Sequence, residues 1–256
     1  MRERDMTVVI LCGGLGTRAY PYTQRMPKAL MEVAGAPIVE QVMHIYAAAG
    51  YRDFVLSVGY LKEPIAEYFS ARAPQLGWSV RCVDTGGSTD TGGRILGCRE
   101  YVTNTFHATY CDGLGDIDLD ALVEFHRAHA GGATMTAVPL RSQYGLVYAD
   151  DAGCVSHFEE KPVLPDRQIN AGFFVFDARM FENWQGTNLE RDVLPAMATD
   201  RELYIYRHQG FWRSMDTLKD QQELTPIWSE YVPRYAPGVD LGTGGRQLGV
   251  VAGGGA

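Results

Sequence analysis

The sequence predicts an α/β fold with a doubly wound, mostly parallel sheet and a small antiparallel extension. Three observations carry this. Short continuous apolar runs, which a strand buried on both faces requires, recur along the first half of the chain. Stretches with helical apolar spacing alternate with them, as successive βαβ units demand. The first apolar run ends in a glycine-rich loop, Gly13-Gly14-Leu15-Gly16-Thr17-Arg18, and open α/β sheets hold ligands beyond the carboxyl ends of their strands.

Residues 7–12 (TVVILC) are the first run, and the loop follows directly. After Pro21 and Pro27, residues 38–49 place apolar side chains at 38, 39, 42, 45, 46 and 49, a helix that Gly50 stops. The alternation repeats as a strand over 53–58, a helix over 62–72 and a strand over 78–83. A helix over 91–102, opened by Gly92 and Gly93, and a strand over 106–111 follow. Asp118 starts a further helix that Gly131 and Gly132 end, and 133–139 is another strand. Runs 145–150, 154–160 and 169–176 are short and separated by turn residues, the pattern of an antiparallel extension. Helices are expected over 189–198 and 217–231. Residues 1–231 therefore read as one Rossmann-like domain, and 232–256, glycine- and proline-rich with little to bury, as a mobile tail.

At 256 residues and 46% apolar composition the chain can bury a full core. Its 23 Lys and Arg against 31 Asp and Glu give a net charge of −8 with no basic run, which lacks the electrostatic footprint of a nucleic-acid binder. The five cysteines, Cys12, Cys82, Cys98, Cys111 and Cys154, are odd in number and contain no CxxC pair, so they read as reduced core residues. No apolar run approaches a membrane span and the first residues do not resemble a signal peptide, so a cytoplasmic protein with no membrane partner is expected.

Three glycines within four positions let backbone N–H groups approach a bulky, acceptor-rich group, and Thr17 and Arg18 add a hydroxyl and a planar donor fork. A phosphate suits these donors. Alone, the loop reads equally well as an ordinary glycine turn. The dinucleotide fingerprint GxGxxG has different spacing, which sets a nicotinamide enzyme aside. His126 and His129, at i and i+3, have no third ligand nearby in sequence and read as residues of a helix surface.

Gly13 to Arg18 followed by Pro27-Lys28 resembles the signature of the sugar-1-phosphate nucleotidyltransferases, GGxGTRLxPxTxxxPKP. Four further stretches agree in order: Val83-Asp84-Thr85-Gly86 with Thr91-Gly92-Gly93-Arg94; Tyr110-Cys111-Asp112-Gly113; Glu160-Lys161-Pro162 with Asn170-Ala171-Gly172; and Gly210-Phe211-Trp212 with Met215-Asp216-Thr217. The first and last of these point to the cytidylyltransferase branch. Ala19, Ala29-Leu30 and Cys111 depart from the pattern, and 73–81 is a short link where that branch carries a longer insertion that helps subunits assemble.

The resemblance implies attack by a sugar-1-phosphate oxygen on the α-phosphorus of a nucleoside triphosphate, with pyrophosphate leaving. CTP and glucose-1-phosphate are the favoured substrates. Another triphosphate, another acceptor such as a cyclitol phosphate or phosphonate, and a non-catalytic nucleotide-binding module stay open. It further implies Mg2+ on Asp112 and Asp216, and phosphate contacts from Arg18, Lys28 and Lys161. Gly13, Gly14, Gly16, Thr17, Thr91, Gly92 and Gly93 would meet the nucleotide. Glu160, Asn170, Tyr144 and Trp212 would meet the sugar. The partners are these two small molecules, and a homo-oligomer is compatible with the resemblance.

Overall fold

The computed structural model describes residues 6–237; the expected tail from 238 onward lies outside the described residues. Strand β1 (Val8–Leu11) is buried throughout and leads into the glycine loop. A two-residue hairpin, β2 (Glu32–Val33) and β3 (Ala36–Pro37), precedes helix α1 (Ile38–Ala48). Strand β4 (Asp53–Val58), helix α2 (Lys62–Leu76) and strand β5 (Ser79–Asp84) follow. Helix α3 (Thr91–Leu96) precedes strand β6 (Thr105–Tyr110), the short β7 (Gly113–Gly115) and helix α4 (Leu119–Arg127). Then come β8 (Ala133–Arg141), β9 (Leu146–Ala149), β10 (Val155–Glu159) and the long β11 (Val163–Asp177). A π-helical turn, Leu189–Val193, runs into α5 (Leu194–Thr199), and β12 (Leu203–Arg207), β13 (Trp212–Ser214) and α6 (Leu218–Tyr235) are the last elements among the described residues.

The main sheet has seven strands in the order β12-β8-β11-β6-β1-β4-β5. β1 pairs in parallel with β4 and β6, and every strand but β11 runs in its direction. Alternate residues of β1 feed the two faces. Val8 and Ile10 pack with Val42, Tyr46 and Trp228 of α1 and α6, whereas Val9 and Leu11 pack with Ile95, Leu189 and Val193. Helices on both faces make the sheet doubly wound, as expected.

Four readings need correction. The run 169–176 belongs to no peripheral extension: it is the end of β11, inserted antiparallel between β6 and β8, with Phe173, Phe174, Val175 and Phe176 all buried. Only β9 and β10 form the extension, as a separate antiparallel hairpin. The helix from Thr91 stops at Leu96, where Gly97 turns the chain into a 3-10 turn over Arg99–Tyr101. Helix α6 passes the expected boundary at 231 and continues to Tyr235, whose ring stacks on buried Trp228 at 5.5 Å. His126 is buried, not on the helix surface, and shares a 2.8 Å hydrogen bond with Thr134.

Candidate active site

The glycine loop is held from below by a buried arginine. Arg94, one turn into α3, donates to the Gly13 carbonyl at 2.8 Å and to Thr85 Oγ1 at 2.9 Å. A Cβ on Gly13 would stand 1.9 Å from Arg94 Nη1, so a larger residue there would displace the Arg94 guanidinium from the loop. Gly16 has φ of 62°, the left-handed region open to glycine, and its carbonyl accepts from Thr23 Oγ1 at 2.9 Å. Gly14 differs: no protein atom lies within 4 Å of where its Cβ would be. Its bare backbone lines a cavity of about 510 Å³, together with Thr17, Arg18, Lys28, Thr91 and Asp112.

Lys28 follows Pro27 and enters the site on a tight turn, Lys28–Leu30. Its Nζ lies 2.5 Å from Asp112 Oδ2 and 2.9 Å from Asp216 Oδ1. Burial works against the ammonium, but the two carboxylates outweigh it and hold Lys28 above its ordinary pKa. Asp112 sits between β6 and β7. Asp216 precedes α6, yet it is not that helix's cap: Thr217 is, in a reciprocal capping box with Asp220. Asp216 is thereby released for Lys28 and for Arg18 Nη1 at 3.0 Å. Burial would raise its carboxyl, but Lys28 and then Arg18 hold it below the usual range.

A hard divalent ion takes one or two protein carboxylates and fills its shell with phosphate oxygens and water. Asp112 and Asp216, whose oxygens converge on the single point held by Lys28 Nζ, fit that demand. Among the described residues no cluster of three or more His, Cys, Asp or Glu could hold a metal.

The other expected site residues divide. Thr91 lines the cavity, whereas Gly92 and Gly93 do not: a Cβ on Gly92 would stand 2.8 Å from the Thr187 carbonyl, and Gly93 N–H donates to that carbonyl at 2.8 Å. These two glycines let α3 pack closely against 187–193. Asn170 donates to the Tyr110 hydroxyl at 3.1 Å, and the Trp212 indole donates to the Ala171 carbonyl at 2.8 Å. Tyr144, Glu160 and Lys161 flank the β9–β10 hairpin, all exposed, and none lines the cavity. Two further residues contribute. Glu190, on the π-helical turn, accepts from the Tyr110 hydroxyl and, at 2.6 Å, from Thr91 Oγ1, tying two cavity residues together. Arg94 is the other; its place inside TGGR was the available signal. Asp116, just ahead of the helix that Asp118 caps, has its Oδ1 2.9 Å from His208 Nε2.

No helix among the described residues is long and apolar enough to cross a membrane. The nucleotidyl transferase family model matches residues 7–225. Glucose-1-phosphate cytidylyltransferase of Salmonella typhi is 36% identical over 88% of this chain and 96% of its own length. Mannose-1-phosphate guanylyltransferase catalytic subunit beta of Danio rerio is 33% identical over 91% of this chain and 67% of its own. Among solved structures, HddC from Yersinia pseudotuberculosis superposes with a TM-score of 0.68 at 20% identity, covering 87% of this chain and 99% of that one, which speaks for the fold. With a family match spanning the glycine loop, Lys28 and both aspartates, the chain belongs to the nucleotidyl transferase family, the sugar-1-phosphate nucleotidyltransferases that its motifs resemble.

Proposed function

We propose that this enzyme is a magnesium-dependent cytidylyltransferase that joins CTP to glucose-1-phosphate, giving CDP-glucose and pyrophosphate. The observation that supports it most is the Lys28 ammonium shared by Asp112 and Asp216 beside a cavity bordered by the glycine loop. The substrate pair follows from the Salmonella typhi relative, aligned over nearly its whole length.

Both reactants are anions, so the chain's task is to align them and offset their repulsion. The attacking phosphate oxygen is ionised at neutral pH, and no protein base or nucleophile is needed. A divalent ion held by Asp112 and Asp216 would supply charge neutralisation at the triphosphate. Lys28, which stands beside both carboxylates, would direct its charge to the phosphates, and Arg18, on the exposed rim, would face the leaving pyrophosphate. Thr17 and the backbone of Gly13, Gly14 and Gly16 meet the nucleotide, with Thr91 at its edge. On the acceptor side we assign Lys161 to the sugar phosphate and Glu160, Asn170, Tyr144 and Trp212 to the hexose. The segment from 142 to 162 must close toward the cavity for that.

The test is pyrophosphate release from a panel of the four nucleoside triphosphates against glucose-1-phosphate and mannose-1-phosphate. Turnover with CTP and glucose-1-phosphate is expected. Turnover with GTP and mannose-1-phosphate, and none with CTP, would reassign the substrates.

A further inference from the structure

Two thiols meet in the floor of the cavity. Leu11 and Tyr110 pair in parallel register on β1 and β6, and Cys12 and Cys111 are the next residue of each strand. Neighbouring strands lie about 4.8 Å apart, inside the Cα separation of roughly 4.4–6.8 Å that a disulfide takes. Both side chains join the same apolar cluster as Val8 and Ile10, so they point to one face of the sheet. Both are buried, yet both line the cavity. A small molecule entering the nucleotide site therefore reaches them. Nucleotidyl transfer gives neither thiol a role.

We propose that Cys12 and Cys111 form a peroxide-sensitive dithiol that closes to a disulfide and reversibly switches off transfer at this site. One sulfur attacks the O–O bond of hydrogen peroxide, yielding a sulfenic acid and one water. The second sulfur displaces the sulfenic oxygen, which leaves as a second water. Two thiols lose two electrons and two protons, and one peroxide is reduced. Burial, then the neighbouring Cys111 thiol, raises Cys12 well above the ordinary thiol range, so the reaction is slow compared with that of an activated thiolate.

Closure has leverage because Cys111 abuts Asp112 and Cys12 abuts Gly13. The two sulfurs must approach to about 2.05 Å, which drags the ends of both strands. A shift of about 1 Å in such a site costs roughly a hundredfold in rate. Of the remaining cysteines, Cys98 is buried on the opposite face of the sheet, Cys82 packs half-buried against the same cluster from β5, with β4 between it and β1, and Cys154 is exposed.

The effect on activity rests on the proposed function; the bond itself does not. The full-length Cys154→Ser protein, which cannot cross-link through its exposed thiol, is treated with hydrogen peroxide, mapped by mass spectrometry without reduction, and assayed for transfer. A Cys12–Cys111 peptide pair lighter by two hydrogens, about a hundredfold loss of transfer and recovery with dithiothreitol are expected, and bound CTP should slow the bond's formation. Absence of that pair, or a bond from either residue to Cys82, would overturn the proposal. So would equal inhibition of Cys111→Ala. If untreated protein fails to turn over CTP, the substrate assignment falls, while the peptide map still decides the dithiol.

Discussion

Lys28 Nζ lies 2.5 Å from Asp112 Oδ2 although 84 positions separate the two residues. The contact joins a turn after the glycine loop to the end of β6, and Asp216 completes it from the far end of the chain. Removing one charge from such a cluster should cost the scale of a principal transition-state stabiliser, at least about a hundredfold in kcat. Asp112→Asn and Lys28→Ala are each expected to show this in steady-state pyrophosphate release, with thermal unfolding confirming that both are folded. Near-wild-type turnover in Asp112→Asn would remove that carboxylate from the chemistry.

Gly13 and Arg94 form a second coupled pair. Because a Cβ on Gly13 would meet the Arg94 guanidinium at 1.9 Å, Gly13→Ala should raise the KM for the triphosphate. Arg94→Ala should do likewise, by freeing the loop from its anchor. In the double variant the clash is gone, so the two effects should not add. A coupling of about 0.5–3 kcal/mol is the range for residues in contact, read from the four KM values. Strict additivity would show that Arg94 does not set the loop.

Away from the site, Glu40 of α1 is fully buried and accepts hydrogen bonds from Tyr68 and Arg72 of α2. Burial pushes its carboxyl up, but the His44 ring 3.5 Å away and hydrogen bonds from Arg72 and Tyr68 more than offset this and hold it below the usual range. The folded value lies under the unfolded one, so the stabilisation is present above roughly pH 4.5 and is lost as pH falls through the folded value. Glu40→Gln should cost about 3 kcal/mol at pH 7, the low end for breaking a buried pair, because the Arg72 side chain is 21% exposed and can find water. Urea unfolding at pH 7, 5 and 3 should show the gap between the proteins narrowing with acid. A gap that widens would contradict the sign.

What was legible in the sequence was local. TVVILC announced a strand buried on both faces, and the helical spacing from Ile38 placed α1 to within a residue of its end. β11 was not legible, because its apolar run specifies burial but not direction, and its insertion against β6 and β8 is decided by partners distant in sequence. β12 was missed because LYIYR is a five-residue edge strand with only partial burial. In the candidate site, motif order led to Lys28, Asp112 and Asp216, which the fold brings together. It gave no sign that Gly92 and Gly93 pack against Thr187, since a glycine needed for helix packing and one needed for a ligand look alike in sequence. Glu190 carried no motif at all, and its contacts to Tyr110 and Thr91 exist only once the π-helical turn is in place.

Lys161 offers the sharpest test of the acceptor side. Its φ is 49°, a left-handed conformation that costs a non-glycine residue roughly 1–2 kcal/mol. Its ammonium stands 3.9 Å from Glu160 Oε1 with both side chains more than half exposed, an ion pair too solvated to repay that cost. Strain without a structural return is the pattern of a residue kept for binding. Lys161→Ala should therefore raise the KM for glucose-1-phosphate about tenfold or more, the loss of one charged hydrogen bond of roughly 1.5–3 kcal/mol, and leave the KM for CTP unchanged. Lys161→Gly should lose the same affinity while remaining at least as stable to heat as Lys161→Ala, because glycine accepts the left-handed backbone. Equal KM values for the sugar phosphate in all three proteins would take Lys161 out of the acceptor site and leave its backbone strain without a functional reason.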